Sequence, residues 1–140
     1  MNEEESRQMM AALESYRGQL ESLAEDQKVI QFSLEETIRA KETLRLYKDA
    51  DEGSEILVPV GGGSFVYARV SSSDRVLLGL GSGVTAEKSI DDAVETMEER
   101  IKELSETAKT VSSRKAQLEA ENARLTQKFQ EAYQTLQRGP

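Results

Sequence analysis

Hydrophobic residues recur at both ends of the chain with a spacing of alternately four and three. The C-terminal ladder is Ile90, Val94, Met97, Ile101, Leu104, Ala108, Val111, Lys115, Leu118, Asn122, Leu125, Phe129, Ala132 and Leu136, and twelve of these fourteen positions are apolar. A repeat of 3.5 residues sustained this far marks a left-handed coiled-coil seam. Lys115 and Asn122 fall at a positions, where a polar side chain commonly sets register or partner at some cost in stability. Ser89 is placed to cap this helix, with Asp92 following as in a capping box. The N-terminal ladder is Met9, Leu13, Tyr16, Leu20, Leu23, Gln27, Ile30, Leu34, Thr37, Lys41 and Leu44, of which eight of eleven are apolar. Ile38 and Tyr47 show the stripe drifting near its end, and Gly18 is a weak point, roughly 1 kcal/mol worse than Ala inside a helix. Two such helices joined by a compact middle predict an antiparallel pair, each helix roughly 60 to 75 Å long at about 1.5 Å per residue. Both chain ends then lie at one tip and the middle segment at the other.

The middle segment changes period. It holds seven of the nine Gly. Glu55 to Val60 reads as a strand, Gly61-Gly62-Gly63 as a turn, and Ser64 to Val70 as a second strand. In that second strand Phe65, Tyr67 and Arg69 share one face, and Val66, Ala68 and Val70 the other. Ser71 to Asp74 is a turn, Arg75 to Leu80 a third strand, Gly81-Ser82-Gly83 a turn, and Val84 to Lys88 a short fourth strand. Pro59 leaves one ladder bond unmade or sets its strand at an edge. The chain is thus expected to be one α+β domain: a helix over 1–52, two β-hairpins over 53–88 and a helix over 89–140. About 36 residues of sheet are too few to fold alone without metal, disulfide or partner. Unpaired edges and apolar faces therefore predict assembly, these strands completing a sheet with strands from other chains through Ile56, Val58, Val60, Phe65, Val66, Tyr67, Val70, Val76, Leu78 and Leu80. The alternative is that the hairpins fold back on the helix bases within one chain.

Composition narrows the function. Charged residues make up 31% and the net charge is -8, which suits long solvated helices and disfavours nucleic acid as a partner. With no Cys and no His, disulfides, thiolate metal sites and the commonest general base are excluded. No metal or cofactor is expected. No apolar run reaches the roughly 18 residues of a membrane span. The opening Met-Asn-Glu-Glu-Glu is not a secretory signal. The glycines of Gly79 to Gly83 before Lys88-Ser89 superficially suggest a phosphate loop, but Glu87 and Ser82 stand where such a loop needs Gly. Carboxylate pairs such as Asp91/Asp92 and Glu98/Glu99 are adjacent on helices and do not converge. No nucleophile, base and orienting group come together, so the chain is not read as an enzyme.

The ends of the ladders carry more apolar side chains than a seam needs. Met9, Met10, Leu13 and Tyr16 are expected to lie opposite Leu125, Phe129, Ala132, Tyr133 and Leu136, and Met10 and Tyr133 lie off the ladder. A two-helix tip cannot bury them all. An exposed apolar patch on a charged chain marks a binding surface, and methionine and aromatic side chains make it adaptable.

Helix, two hairpins and helix, with this insert length, resembles the α-class subunit of prefoldin. The resemblance rests on Ile56 to Val66, then Val76 to Val84, then Ala86-Glu87-Lys88-Ser89. Two hairpins favour the α class over the β class, which has one, and the short chain resembles archaeal members. The resemblance implies a cytoplasmic heterohexamer of two α and four β chains, with a double β-barrel platform and six hanging coiled coils. It implies a holder of non-native polypeptides that uses no ATP and delivers them to a group II chaperonin. Client contacts are attributed to the tips, here Met9, Met10, Leu13, Phe129, Ala132, Tyr133 and Leu136. The competing reading is a structural scaffold or tether without client binding. A spacer has no need for a wider apolar stripe at its tip.

Overall fold

The computed structural model describes residues 2–138. The order of elements is α1 (Glu3–Lys48), β1 (Glu55–Gly61), β2 (Ser64–Arg69), β3 (Arg75–Gly81), β4 (Val84–Ser89) and α2 (Ile90–Arg138). The described residues up to Ser33 and from Leu104 form one compact unit, and Leu34–Glu103 forms another. The first, called here the terminal unit, contains only helix. The second, the hairpin unit, contains all four strands.

Both helices begin on a side-chain cap. The Glu5 backbone N–H donates to Asn2 Oδ1 at 2.8 Å, and the Asp92 N–H donates to Ser89 Oγ at 3.1 Å. Each cap satisfies an otherwise orphaned first-turn donor. Glu3, Glu4 and Glu5 in the first turn of α1, and Asp91 and Asp92 in that of α2, also suit the positive end of the helix dipole. The Ser89 cap is the one the sequence predicts; Asn2 adds a second.

Within the terminal unit the helices run antiparallel. Lys115 Nζ donates to Gln27 Oε1 at 3.1 Å, while Leu13 and Leu20, earlier in α1, line a groove with Asn122 and Thr126, later in α2. Both ladders face inward, and every predicted rung here is half-buried or buried except Leu136. Leu118 is the only side chain of this unit that is fully buried among the described residues, at 1% exposure. Lys115 and Gln27 are both a-position residues. Their hydrogen bond satisfies two polar groups that would otherwise weaken the seam.

The hairpin unit holds the other buried apolar residues: Val70, Leu78, Ile90, Ala93 and Met97. Its helices are also antiparallel, linked by ion pairs from Lys41 and Arg45 to Glu98 and from Lys48 to Asp91. α1 stops at Lys48, short of the expected 52. The Ala50 N–H donates to the Tyr47 carbonyl as the chain turns, and Gly53 takes a left-handed φ of 80°. Backbone bonds then join the segments: Gly53 N–H to the Val70 carbonyl, Val70 N–H to the Ser54 carbonyl, and Ile90 N–H to the Asp74 carbonyl.

The two hairpins repeat one another at an offset of 20 residues. β1 pairs with β2 from Glu55↔Arg69 to Gly61↔Ser64, and β3 with β4 from Arg75↔Ser89 to Gly81↔Val84. Each has the same register shift before the turn, at Pro59/Gly61 and Gly79/Gly81. Each turns through two residues at positive φ, Gly62-Gly63 and Ser82-Gly83, the mirror-image turn that matches strand twist. Ser82 is the only non-glycine residue at positive φ among those described.

Two substitutions test this packing. Leu118→Ala is expected to lower stability by about 2 to 4 kcal/mol, because it opens a cavity in the seam. Gly18→Ala is expected to raise it by about 1 kcal/mol, since a Cβ there meets nothing within 4 Å and the helix gains propensity. Denaturant titration followed by circular dichroism reads both.

Candidate functional site

The hairpins display apolar side chains that their own unit leaves uncovered. On the outward face of hairpin one, Leu57 pairs with Tyr67 and Pro59 with Phe65, and Leu57, Tyr67 and Phe65 are all more than half exposed. Near the turns Val60, Leu80 and Val84 are equally open, and Leu77 is 74% exposed on hairpin two. The opposite face is partly covered: Ile56, Val76, Ala68 and Ala86 are half-buried.

This sorts the predicted assembly residues into three groups, of which the half-buried Ile56 and Val76 are one. Val58, Val60, Phe65, Val66, Tyr67 and Leu80 are exposed and free for a partner. Val70, at the foot of hairpin one, and Leu78, midway along hairpin two, are 2% and 5% exposed, already buried in the chain's own core and not available to another chain. The fold-back alternative thus describes the foot of hairpin one and hairpin two as far as Gly79, whose carbonyl accepts from Arg100 of α2. It does not describe their turn ends. Leu57, Leu77 and Val84 belong with the exposed group, although the sequence reading does not single them out. Their exposure follows from strand pairing, which places Leu57 and Leu77 on the outward face.

In the terminal unit, the seven predicted tip residues also divide. Met9, Leu13, Phe129 and Ala132 are half-buried rungs of the seam. Met10, Tyr133 and Leu136 are 57%, 54% and 61% exposed. The surplus over the seam therefore consists of these three. Beside them lie two open grooves, one on each flank of the helix pair. One, of about 570 Å³, is lined by Glu5, Gln8, Met9, Ala12, Leu125, Lys128 and Ala132. The other, of about 510 Å³, is lined by Leu13, Glu14, Arg17, Leu20, Glu21, Ala24, Asn122 and Thr126. Small flanking residues make these grooves, a signal the apolar ladder does not carry.

Four further large apolar residues are exposed off the ladder: Val29 and Phe32 in the terminal unit and Ile38 and Leu46 in the hairpin unit. Isolated exposed apolar side chains are ordinary on a protein surface.

Nothing in this geometry resembles reaction chemistry. Among the described residues no group of Asp and Glu is arranged to hold a metal, and no helix is long and apolar enough to cross a membrane. The hydrogen bond from Lys48 Nζ to Asp91 Oδ1, at 2.6 Å, holds the lysine above its ordinary pKa, with the charge of Asp91 adding to it. The pair joins the two helices at the surface.

Comparison with known proteins gives a consistent result. The family described as "Prefoldin subunit" matches residues 16–138. The chain is 37% identical over 110 residues to "Prefoldin subunit alpha" of Methanothrix thermoacetophila, covering 79% of this chain and 72% of that protein. It is 31% identical over 134 residues to the protein of the same name from Pyrococcus horikoshii, covering 95% and 90%. Among solved structures, a chain of filamentous PFD from Methanocaldococcus jannaschii superposes with a TM-score of 0.72 at 27% identity, covering 83% of this chain and 96% of that one. The prefoldin beta subunit from Thermococcus strain KS-1 superposes with a TM-score of 0.60 at 20% identity, 91% of each chain being covered, which is a likeness of fold.

If Met10, Tyr133 and Leu136 are surface and not seam, replacing all three with Ser leaves the unfolding free energy within about 0.5 kcal/mol per site, as for ordinary surface positions. The same denaturant titration reads this, and a loss comparable to that of Leu118→Ala would place them in the core.

Proposed function

Because the chain belongs to the prefoldin family, a family of non-enzymatic chaperone subunits, we propose that it captures non-native polypeptides at its helix ends as an α-class subunit of a hexamer. In this reading two such chains assemble with four β-class chains through the hairpins. The complex holds unfolded proteins without ATP, prevents their aggregation and delivers them to a group II chaperonin in the cytoplasm. The observation that carries the reading is the exposed trio Met10, Tyr133 and Leu136 beside the half-buried seam. A helix pair serving only as a spacer gains nothing from exposed Met, Tyr and Leu at its end.

The energetics suit holding. Fully burying one large apolar side chain is worth about 1.5 to 3 kcal/mol, so three partly buried ones give only a weak contact. Several ends acting on one client multiply that contact by avidity while each remains quick to release. Methionine and tyrosine adapt to differently shaped apolar segments. The acidic flanks keep the loaded complex from self-association, since net charge opposes it. The exposed outer faces of the hairpins, with Leu57, Phe65 and Tyr67, are the surface that a β-class partner covers.

The test separates capture from scaffolding. Met10→Ser with Tyr133→Ser and Leu136→Ser is expected to weaken binding of a labelled, chemically unfolded protein to this chain by about tenfold. Light scattering of the variant mixed with a β-class subunit should give the same assembly mass as the unaltered chain. Unchanged client binding with the assembly intact would favour the scaffold reading instead.

A further inference from the structure

The second groove of the terminal unit, lined by Leu13, Leu20, Ala24, Asn122 and Thr126, has a shape and a charge that the holding role alone does not require. Leu13, Leu20 and Asn122 are a positions of the seam, so Arg17, Ala24 and Thr126 stand at e positions. In a two-stranded coiled coil the e flank usually carries long charged side chains that shield the seam. Here two of the three are small, and the seam stays visible between the helices as a groove of about 510 Å³. Leu13 to Ala24 spans roughly 17 Å at about 1.5 Å per residue, close to three helical turns. Met10 and Tyr133 are also e residues, and they carry the same flank on toward the chain ends.

The banks of this groove differ in charge. In the lining, α1 contributes Glu14, Arg17 and Glu21, whereas Asn122 and Thr126 of α2 carry no charge. The basic side chain in the lining, Arg17, is paired with Glu21 at 3.6 Å. The α1 bank therefore keeps an excess of one carboxylate, Glu14, and the α2 bank is uncharged. The lining offers few polar partners for a bound backbone. An extended segment laid there would leave its N–H and C=O groups unpaired, which is costly away from water, whereas a helix satisfies its own. The groove on the other flank is different, because its Glu5 and Lys128 oppose one another and give no preference of charge.

We infer that this groove takes a helix-forming segment of a non-native protein, docked as a third helix, whose apolar stripe is bordered by lysine or arginine on the side facing α1. The inference rests on the client-holding reading above and names which segments that surface selects. Apolar anchors at i, i+3, i+4 and i+7 fill the space over Leu13, Leu20 and Ala24. The basic border meets the acidic α1 bank, which speeds encounter and sets orientation more than it adds affinity.

The probe is a synthetic peptide of about 14 residues, long enough to follow the flank from Met10 to Ala24. It carries such a stripe bordered by Lys, and its controls are a scrambled order of the same residues and a version with Glu in place of Lys. Fluorescence anisotropy with the full chain is expected to give binding about tenfold tighter for the Lys-bordered peptide than for either control, with the advantage over the Glu version shrinking at about 0.5 M salt. Ala24→Arg with Thr126→Arg fills the groove and is expected to weaken that binding about tenfold. Glu14→Lys with Glu21→Lys, both on the exposed rim, is expected to erase the preference for Lys over Glu, and it decides the matter alone if the groove-filled chain does not fold. A control peptide bound within about twofold of the probe, or a folded groove-filled chain that binds as before, overturns the inference. Should the groove-filled chain still bind unfolded protein while the Met10, Tyr133 and Leu136 variant does not, this inference falls and the chaperone reading stands. Should neither variant lose client binding, the chaperone reading itself falls.

Discussion

A pair of helices has a single seam to bury, and everything else about this chain depends on that limit. In the terminal unit one side chain, Leu118, is fully enclosed, and the rest of both ladders is half-buried at best. A third element would be needed to cover the flanks. The hairpin unit has such elements, and there Val70, Leu78, Ile90, Ala93 and Met97 all become buried. The same residue types are thus enclosed where strands meet helices and left open where helices meet only each other. On the proposed reading, the open surfaces are the working ones: the hairpin faces for assembly and the helix ends for clients.

A seam this narrow also tolerates polar residues, and uses them. Gln27 and Lys115 meet across the a layer of the terminal unit through one hydrogen bond. In the hairpin unit Lys41, another a residue, reaches Glu98 at 3.6 Å, with Arg45 on the same carboxylate at 2.9 Å. Both contacts remain partly solvated, so neither adds much stability, as is usual for accessible pairs. Their value is in register. Sliding one helix by a heptad would keep the apolar rungs in contact but would separate Gln27 from Lys115 and Lys41 from Glu98. A polar a position specifies alignment at some cost in stability. Alignment in turn decides which residues of α2 stand beside Met10.

Much of the fold was legible because it follows from short-range rules. The 3.5-residue ladder from Ile90 to Ala132, the Ser89 cap, and the glycine-marked turns each depend on neighbours within a turn or two. What was not legible depends on pairing at a distance. The ladder identifies Gln27 and Lys115 as polar rungs, but only the register joins them. The sequence alternation puts Val70 and Val66 on one face, but burial separates them, Val70 inside the unit and Val66 at 47% exposure nearer the turn. The end of α1 at Lys48 was missed by four residues, because the acidic Asp49, Asp51 and Glu52 continue a helical composition while Gly53 and its bond to Val70 already belong to the hairpin. At the helix ends the seven candidate residues were legible as a group. The ladder already sets Met10 and Tyr133 off the seam, but it counts Leu136 as a rung, and only the structure shows that side chain 61% exposed at the end of α2.

The two hairpins show how one backbone frame can carry two chemistries. Strand lengths, register shift and turn agree position by position at the 20-residue offset. The side chains do not. Tyr67 in hairpin one corresponds to Glu87 in hairpin two, which is held by Arg75 at 2.9 Å. Pro59 corresponds to Gly79, so hairpin one lacks a backbone donor where hairpin two has one, and the Gly79 carbonyl is taken by Arg100 at 2.8 Å. Hairpin one presents aromatic surface around Phe65 and Tyr67; hairpin two presents Leu77 and Leu80 beside a salt bridge. On the proposed assembly, a neighbouring strand would meet equal shapes with unequal contents. Shape alone would let either hairpin receive either partner, and the unequal contents are what makes one docking differ in free energy from the other. Specific assembly from repeated units needs that difference, and here it is written into side chains while the frame is left unchanged.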